Sequence, residues 1–96
     1  MKLGIVLATR DLSRAAALAH AARRARHEVV IFAMDAGVQA LSGDPDTARA
    51  LIAAECEITV CSNSAVGLDL VDGIERGSQD DHAAVLGTSD RVVALT

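Results

Sequence analysis

The sequence predicts a three-layer α/β/α fold built on a mainly parallel sheet of four to five strands. Three observations carry that expectation. Short apolar runs recur at Leu3–Ala8, Glu28–Met34, Glu57–Cys61 and Arg91–Leu95. Leu3–Ala8 among them is continuously apolar, which suits a parallel strand covered on both faces. The segments between them carry helix-capping residues and are long enough for right-handed crossovers, so the alternation reads βαβαβαβ.

Leu3–Ala8 is the first strand and is expected to be central. Thr9-Arg10-Asp11 turns the chain, and Asp11 is placed to cap a helix from Leu12 to about Arg26. Leu12, Ala15, Ala16, Ala19 and Ala22 recur at helical spacing, and their small side chains permit close docking on a sheet. Glu28–Met34 is the second strand. After the Asp35-Ala36-Gly37 turn, Val38–Leu41 is long enough for one helical turn. Asp44 as cap and Pro45 as first residue then start a helix to about Ala54. The third strand is Glu57–Cys61. Ser64–Leu70 is expected as a short helix weakened by Gly67, and Val71–Gly77 as an irregular connection with a short strand around Ile74. Ser78 caps a helix from Gln79 to Leu86, with Asp80 and Asp81 in its first turn, and Arg91–Leu95 closes the sheet.

Ninety-six residues suffice for one small domain, taken as residues 1–96, with no internal repeat or linker. Phe32 is the only aromatic residue, so no platform exists on which a base or flavin ring would stack. A net charge of −4 likewise argues against nucleic acid. Six of the nine basic residues precede His27, and Arg14, Arg23, Arg24 and Arg26 lie on or near the first helix. A solvated helix face with cations near its C-terminus accounts for them. The opening apolar run is too short for a signal-peptide core, no membrane segment is expected, and the expected location is the cytoplasm.

The chain has two cysteines, Cys56 and Cys61. Five extended steps put their Cα atoms roughly 16 Å apart, whereas a disulfide needs less than about 7 Å. Both are therefore read as thiols in a reducing compartment. Cys61 ends a strand, where ligands and reactive groups collect in open α/β sheets. Ser62, Asn63 and Ser64 follow it as helix-capping residues whose free amides would favour a thiolate. Cys56 lies between Glu55 and Glu57, whose charges would raise its pKa, and is read as structural. His82 would help ionise Cys61 if its helix packed against the end of the third strand. His20 and His27 belong to the first helix and its end. Asp80 and Asp81 are dipole partners, because no His or Cys ligand spacing accompanies them and no metal or cofactor is required. Neither a dinucleotide fingerprint nor a Walker sequence occurs, and the acidic strand-end cluster of a receiver domain is missing.

The chain resembles the DsrE/DsrF-like family of small sulfur-relay subunits. The likeness rests on the Lys2–Val6 strand, the Ala-rich helix leading to Glu28–Phe32, and the Asp35-Ala36-Gly37-Val38 turn. It continues in the strand ending on Cys61, the Gly77-Ser78-Gln79 turn and the closing Ser89–Val93 segment. The resemblance implies that Cys61 takes up sulfane sulfur as a persulfide and passes it to the cysteine of a partner. Some relatives carry a second cysteine three residues on, and here that place is Ser64. Others lack the reactive cysteine and serve as structural subunits.

The expected function is that of a sulfur carrier or sulfurtransferase whose Cys61 cycles between thiolate and persulfide, with Ser62, Asn63 and Ser64 as an anion-favouring cradle and His82 in support. Its expected partners are sulfur donor and acceptor proteins with reactive cysteines, in a homo- or hetero-oligomer. The alternatives are a non-catalytic assembly subunit and a small-ligand or redox-sensing module of the same fold.

Overall fold

The computed structural model describes all residues, Met1–Thr96. The elements follow in the order β1 (Lys2–Leu7), α1 (Leu12–Arg24), β2 (Glu28–Ala33), α2 (Ala36–Gly43), α3 (Pro45–Ala53), β3 (Glu57–Cys61), β4 (Ile74–Gly77), α4 (Gln79–Thr88) and β5 (Arg91–Leu95). The five strands form one sheet in the order β4-β3-β2-β1-β5. Every pairing is parallel, with Ile5 opposite Ile31 and Val93, and Cys61 opposite Gly77. The β1 strand is thus an interior strand, between β2 and the edge strand β5, as its continuous apolar run requires.

One face of the sheet carries α1, α2 and α3. Ile5, Leu7, Ile31, Ile58 and Val60 project there against Leu12, Ala15, Ala19, Val38, Leu41 and Leu51 in one cluster of 17 buried residues. Complete burial of each large aliphatic side chain is worth about 1.5–3 kcal/mol, so this face supplies most of the hydrophobic stabilisation. The other face carries α4 alone. Its cluster has four buried members, Val30, Phe32, Cys61 and Val85. The α4 helix therefore depends more on its ends than on its packing.

Its N-terminal end is well made. Ser78 Oγ accepts from the Asp80 amide at 3.2 Å, and Asp81 returns a carboxylate oxygen to the Ser78 amide at 2.8 Å, forming a capping box. Asp11 caps α1 by accepting from the Arg14 amide at 3.2 Å, and Asp44 caps α3 through Thr47 at 3.2 Å. At the far end of α1, Arg23 binds the Ala54 and His27 carbonyls and pairs with Glu55, which fastens α1 to the end of α3. Arg23 is thereby tied into the fold and departs from the solvated face expected for the basic cluster.

Two segments differ from the sequence expectation. The α2 helix runs through Ala36–Gly43 instead of a single turn at Val38–Leu41. Gly37 sits in its first turn because a Cβ there would collide with the Leu7 carbonyl; its presence permits close approach to β1 instead of breaking the helix. Residues 64–70 form no helix: Ser62–Gly67 is a series of turns, closed by Ala65 N–H donating to Cys61 O and Leu68 N–H donating to Ala65 O, both at 3.0 Å. Gly67 has φ +76°, which ends any helical continuation. No helix of the chain is long and apolar enough to cross a membrane.

Candidate functional site

The turn that replaces the expected helix determines what surrounds Cys61. The residue is only 7% exposed, and its side chain lies on the α4 face of the sheet at the carboxyl end of β3. After Cys61 the chain folds over the opposite face, where Ala65, Leu68, Leu70 and Val71 pack on the large core. After its neighbour β4 the chain leaves on the α4 face. Connections that depart on opposite sides of two adjacent parallel strands open a crevice at their carboxyl ends. Here that crevice is a cavity of about 340 Å³, lined by Cys61, Ser62, Asn63, Gly77, Ser78 and Gln79, with Arg76 and Asp81 at its border.

Within it the sulfur is surrounded by donors. The backbone amide of Ser64 is the strongest influence, followed by the Ser64 hydroxyl; the Asn63 amide and the Gln79 side chain add to them, and together they outweigh burial and hold the Cys61 thiol below its ordinary pKa. The Asn63 and Ser64 amides belong to a tight turn, not to the N-terminus of a helix. Ser62, expected beside them, gives both its amide and its hydroxyl to the Gly77 carbonyl.

The turn is fixed at three points. Ser62 donates from both its amide and its hydroxyl to the Gly77 carbonyl, at 2.9 and 2.7 Å. Ser64 Oγ accepts from the Asp35 amide at 3.0 Å. Arg76 donates to the Ala65 and Leu68 carbonyls at 3.1 and 3.2 Å from beneath the loop. Gly77 is required at its position: a Cβ would collide with the Asp81 carboxylate and lie 2.8 Å from the Thr59 methyl group.

The α4 helix completes the site. Gln79 Nε2 donates to Cys61 Sγ at 3.9 Å, a long contact even for sulfur. His82, expected to reach the cysteine itself, instead stacks on Phe32, with ring centroids 5.2 Å apart and planes inclined by 9°. Its Nδ1 lies 3.1 Å from Gln79 Oε1. Ser62, Ser64, Asn63 and His82 thus gather around Cys61, with His82 one residue removed. Gln79 and Arg76 were not among the expected site residues; Gln79 was legible as the first residue of a capped helix and within the Gly77-Ser78-Gln79 turn, but not as a contact of the sulfur.

Cys56 is equally buried, at 6%, but sits in the large core on the opposite face. Burial pushes its thiol up and Arg23 partly offsets this. Desolvation, not Glu55 and Glu57, is the cause. Both thiols are free, and no group of His, Cys, Asp and Glu is placed to hold a metal ion.

A sequence model described as the DsrE/DsrF-like family matches residues 1–95. Among solved structures, the fold is similar to the crystal structure of the ychN protein from E. coli, with a TM-score of 0.84, 21% identity and 99% of each chain covered. Comparison with curated proteins gives no match.

Proposed function

The chain belongs to the DsrE/DsrF-like family, and from that premise we propose that it is a sulfur-relay protein carrying sulfane sulfur as a persulfide on Cys61. The observation that carries the reading is the setting of one sulfur: Cys61 ends β3 at the crevice, Gln79 Nε2 donates to it, and the Ser64 and Asn63 groups of the turn help hold its thiol below the ordinary pKa. Such a setting favours the thiolate, the form of cysteine that acts as nucleophile.

The transfer needs no outside oxidant. The Cys61 thiolate attacks the outer sulfur of a donor persulfide, R–S–SH. The Cys61 S–S bond forms, the donor S–S bond breaks, and the donor leaves as thiolate. An acceptor thiolate then attacks the outer sulfur of Cys61–S–SH and releases Cys61 as thiolate. The donors around Cys61 stabilise it both as nucleophile and as leaving group. Partners are thus donor and acceptor proteins bearing reactive cysteines, and the two free thiols fit a reducing compartment such as the cytoplasm. Ser64, at the place where some relatives carry a second cysteine, is a hydrogen-bond donor to the sulfur, which fits a single-thiol carrier and not a dithiol redox centre.

The test is intact-mass spectrometry of the reduced protein after exposure to a persulfide donor, with peptide mapping. The carrier reading expects the mass of one added sulfur atom on Cys61, removed by reductant, passed to a second thiol protein, and abolished in Cys61→Ser. Loading that persists in Cys61→Ser, or its absence from the wild type, overturns it.

A second reading, a non-catalytic assembly subunit, is favoured by exposed apolar residues: Val92 on the edge strand β5 is 38% exposed and Leu86 on α4 is 50% exposed. It expects a concentration-independent oligomer that Cys61→Ser leaves intact and no sulfur on Cys61 of the wild type.

A further inference from the structure

We propose that Gln79 is a catalytic residue of the sulfur transfer, contacting the Cys61 sulfur through its amide nitrogen, and that His82 is the positioning residue that decides which end of that amide faces the sulfur. The proposal deepens the carrier reading and rests on it for the transfer itself.

A glutamine side chain presents an NH2 donor and a carbonyl acceptor of nearly the same shape, so its orientation is set by its neighbours. With the NH2 toward Cys61, Gln79 stabilises a thiolate and, in the second transfer, the departing Cys61 sulfur. With the carbonyl toward Cys61, it repels the thiolate and retains the proton on the thiol. The choice depends on a partner for the other end, and His82 is that partner: its Nδ1 lies 3.1 Å from Gln79 Oε1. A proton on Nδ1, in the neutral ring or the imidazolium, donates to Oε1 and leaves Nε2 facing the sulfur at 3.9 Å.

Three features hold the relay in place. Gln79 and His82 are three residues apart on α4 and share a face. The Ser78 capping box fixes the first turn that holds Gln79, and it occupies Asp81 with the Ser78 amide, so Asp81 has a partner of its own. The imidazole lies nearly parallel to the ring of Phe32, which is fully buried near the carboxyl end of β2. Phe32 is the sole aromatic residue of the chain, and the seat it provides lies under this histidine.

The test is the pH dependence of Cys61 alkylation by iodoacetamide, followed by peptide mapping so that Cys56 does not interfere. Gln79→Leu removes the contact. His82→Phe preserves a ring on Phe32 but removes the Nδ1 donor. His82→Asn restores an N–H donor close to the position of Nδ1. Each of the first two is expected to raise the midpoint of the profile by about 0.5 to 1 pH unit, less than a short hydrogen bond to a charged group supplies because the contact is 3.9 Å long. The double variant should shift it no further than either alone, and His82→Asn should return most of the shift. Circular dichroism confirms folding of each variant, and Gln79→Leu carries the test if a His82 variant fails to fold.

Unchanged midpoints in folded variants, or shifts that simply add, overturn the proposal. Sulfur loading of the wild type is measured in parallel. Loading with unchanged midpoints leaves the relay function standing and removes Gln79 and His82 from it. Shifted, non-additive midpoints without loading keep the hold of this pair on the sulfur and remove the relay function.

Discussion

The Ser64 hydroxyl joins Asp35 to the site: its oxygen accepts from the Asp35 amide at 3.0 Å, and the same hydroxyl helps hold the Cys61 thiol below its ordinary pKa. Asp35 is held at φ +52°, an uncommon conformation for a residue with a side chain, between β2 and α2. The bond therefore connects the end of the central sheet to the turn that cradles the cysteine. Ser64→Ala removes the bridge from both sides. It is expected to raise the Cys61 thiol, slow alkylation at neutral pH, and lower stability by about 1 kcal/mol as the Asp35 amide loses its partner. Chemical denaturation and an alkylation pH profile on the same samples check both effects.

The two cysteines offer an internal comparison, because they are buried alike but lie on opposite faces of the sheet. Donors hold the Cys61 thiol down, while desolvation pushes the Cys56 thiol up. Limited iodoacetamide at neutral pH should label Cys61 and spare Cys56 until the protein unfolds. The signs of the stability effects are opposite. Ionised Cys61 stabilises the fold above the ordinary thiol pKa, and that contribution is lost as pH falls through its lowered value. Protonated Cys56 contributes below the ordinary thiol pKa, and that contribution is lost as pH rises through its raised value. The stability difference between wild type and Cys61→Ser should therefore widen toward alkaline pH, and that for Cys56→Ala should narrow. Denaturation across the pH series checks both.

The strands were legible because a parallel strand buried on both faces must be apolar along its length, as Ile5–Leu7 and Ile58–Cys61 are. The caps at Asp11, Asp44 and Ser78 were legible because their chemistry is local. What escaped depends on contacts distant in sequence. Gly37 reads as a breaker unless the Leu7 carbonyl above it is known. Gln79 is 18 residues from Cys61, and the two meet only because α4 crosses the face that β3 turns away from. The cradle was expected from Ser62, Asn63 and Ser64, but a helix was the wrong origin for its amides; the anchor from Ser62 to Gly77 and the positive φ of Gly67 favour a closed turn.

Gly77 is where the sheet and the site constrain one another. Its carbonyl receives both Ser62 donors, and its missing Cβ leaves room for the Asp81 carboxylate of the capping box and the Thr59 methyl group. Gly77→Ala must displace one of them. Overpacking of this kind costs about 1–3 kcal/mol. The expected result is a lower denaturation midpoint together with a raised Cys61 alkylation midpoint, since moving β4 also moves the Ser62 anchor. A loss of stability with an unaltered thiol would show that β4 and the cradle are mechanically separate.

The capping box matters more to α4 than to the other helices because Val85 is the only buried residue α4 contributes. By contrast, α1 buries Leu12, Ala15, Ala16 and Ala19. Ser78→Ala removes the acceptor of the Asp80 amide and half of the box, at an expected cost of about 1 kcal/mol. With little packing to retain it, α4 should open locally before the sheet does. Native-state hydrogen exchange is expected to show protection lost across Gln79–Thr88 and retained in α1 and β1–β3. Because Gln79 is the first residue of the frayed turn, the same variant should weaken its contact with Cys61 and raise the thiol. Uniform loss of protection over the whole chain would mean instead that α4 and the sheet unfold as one unit.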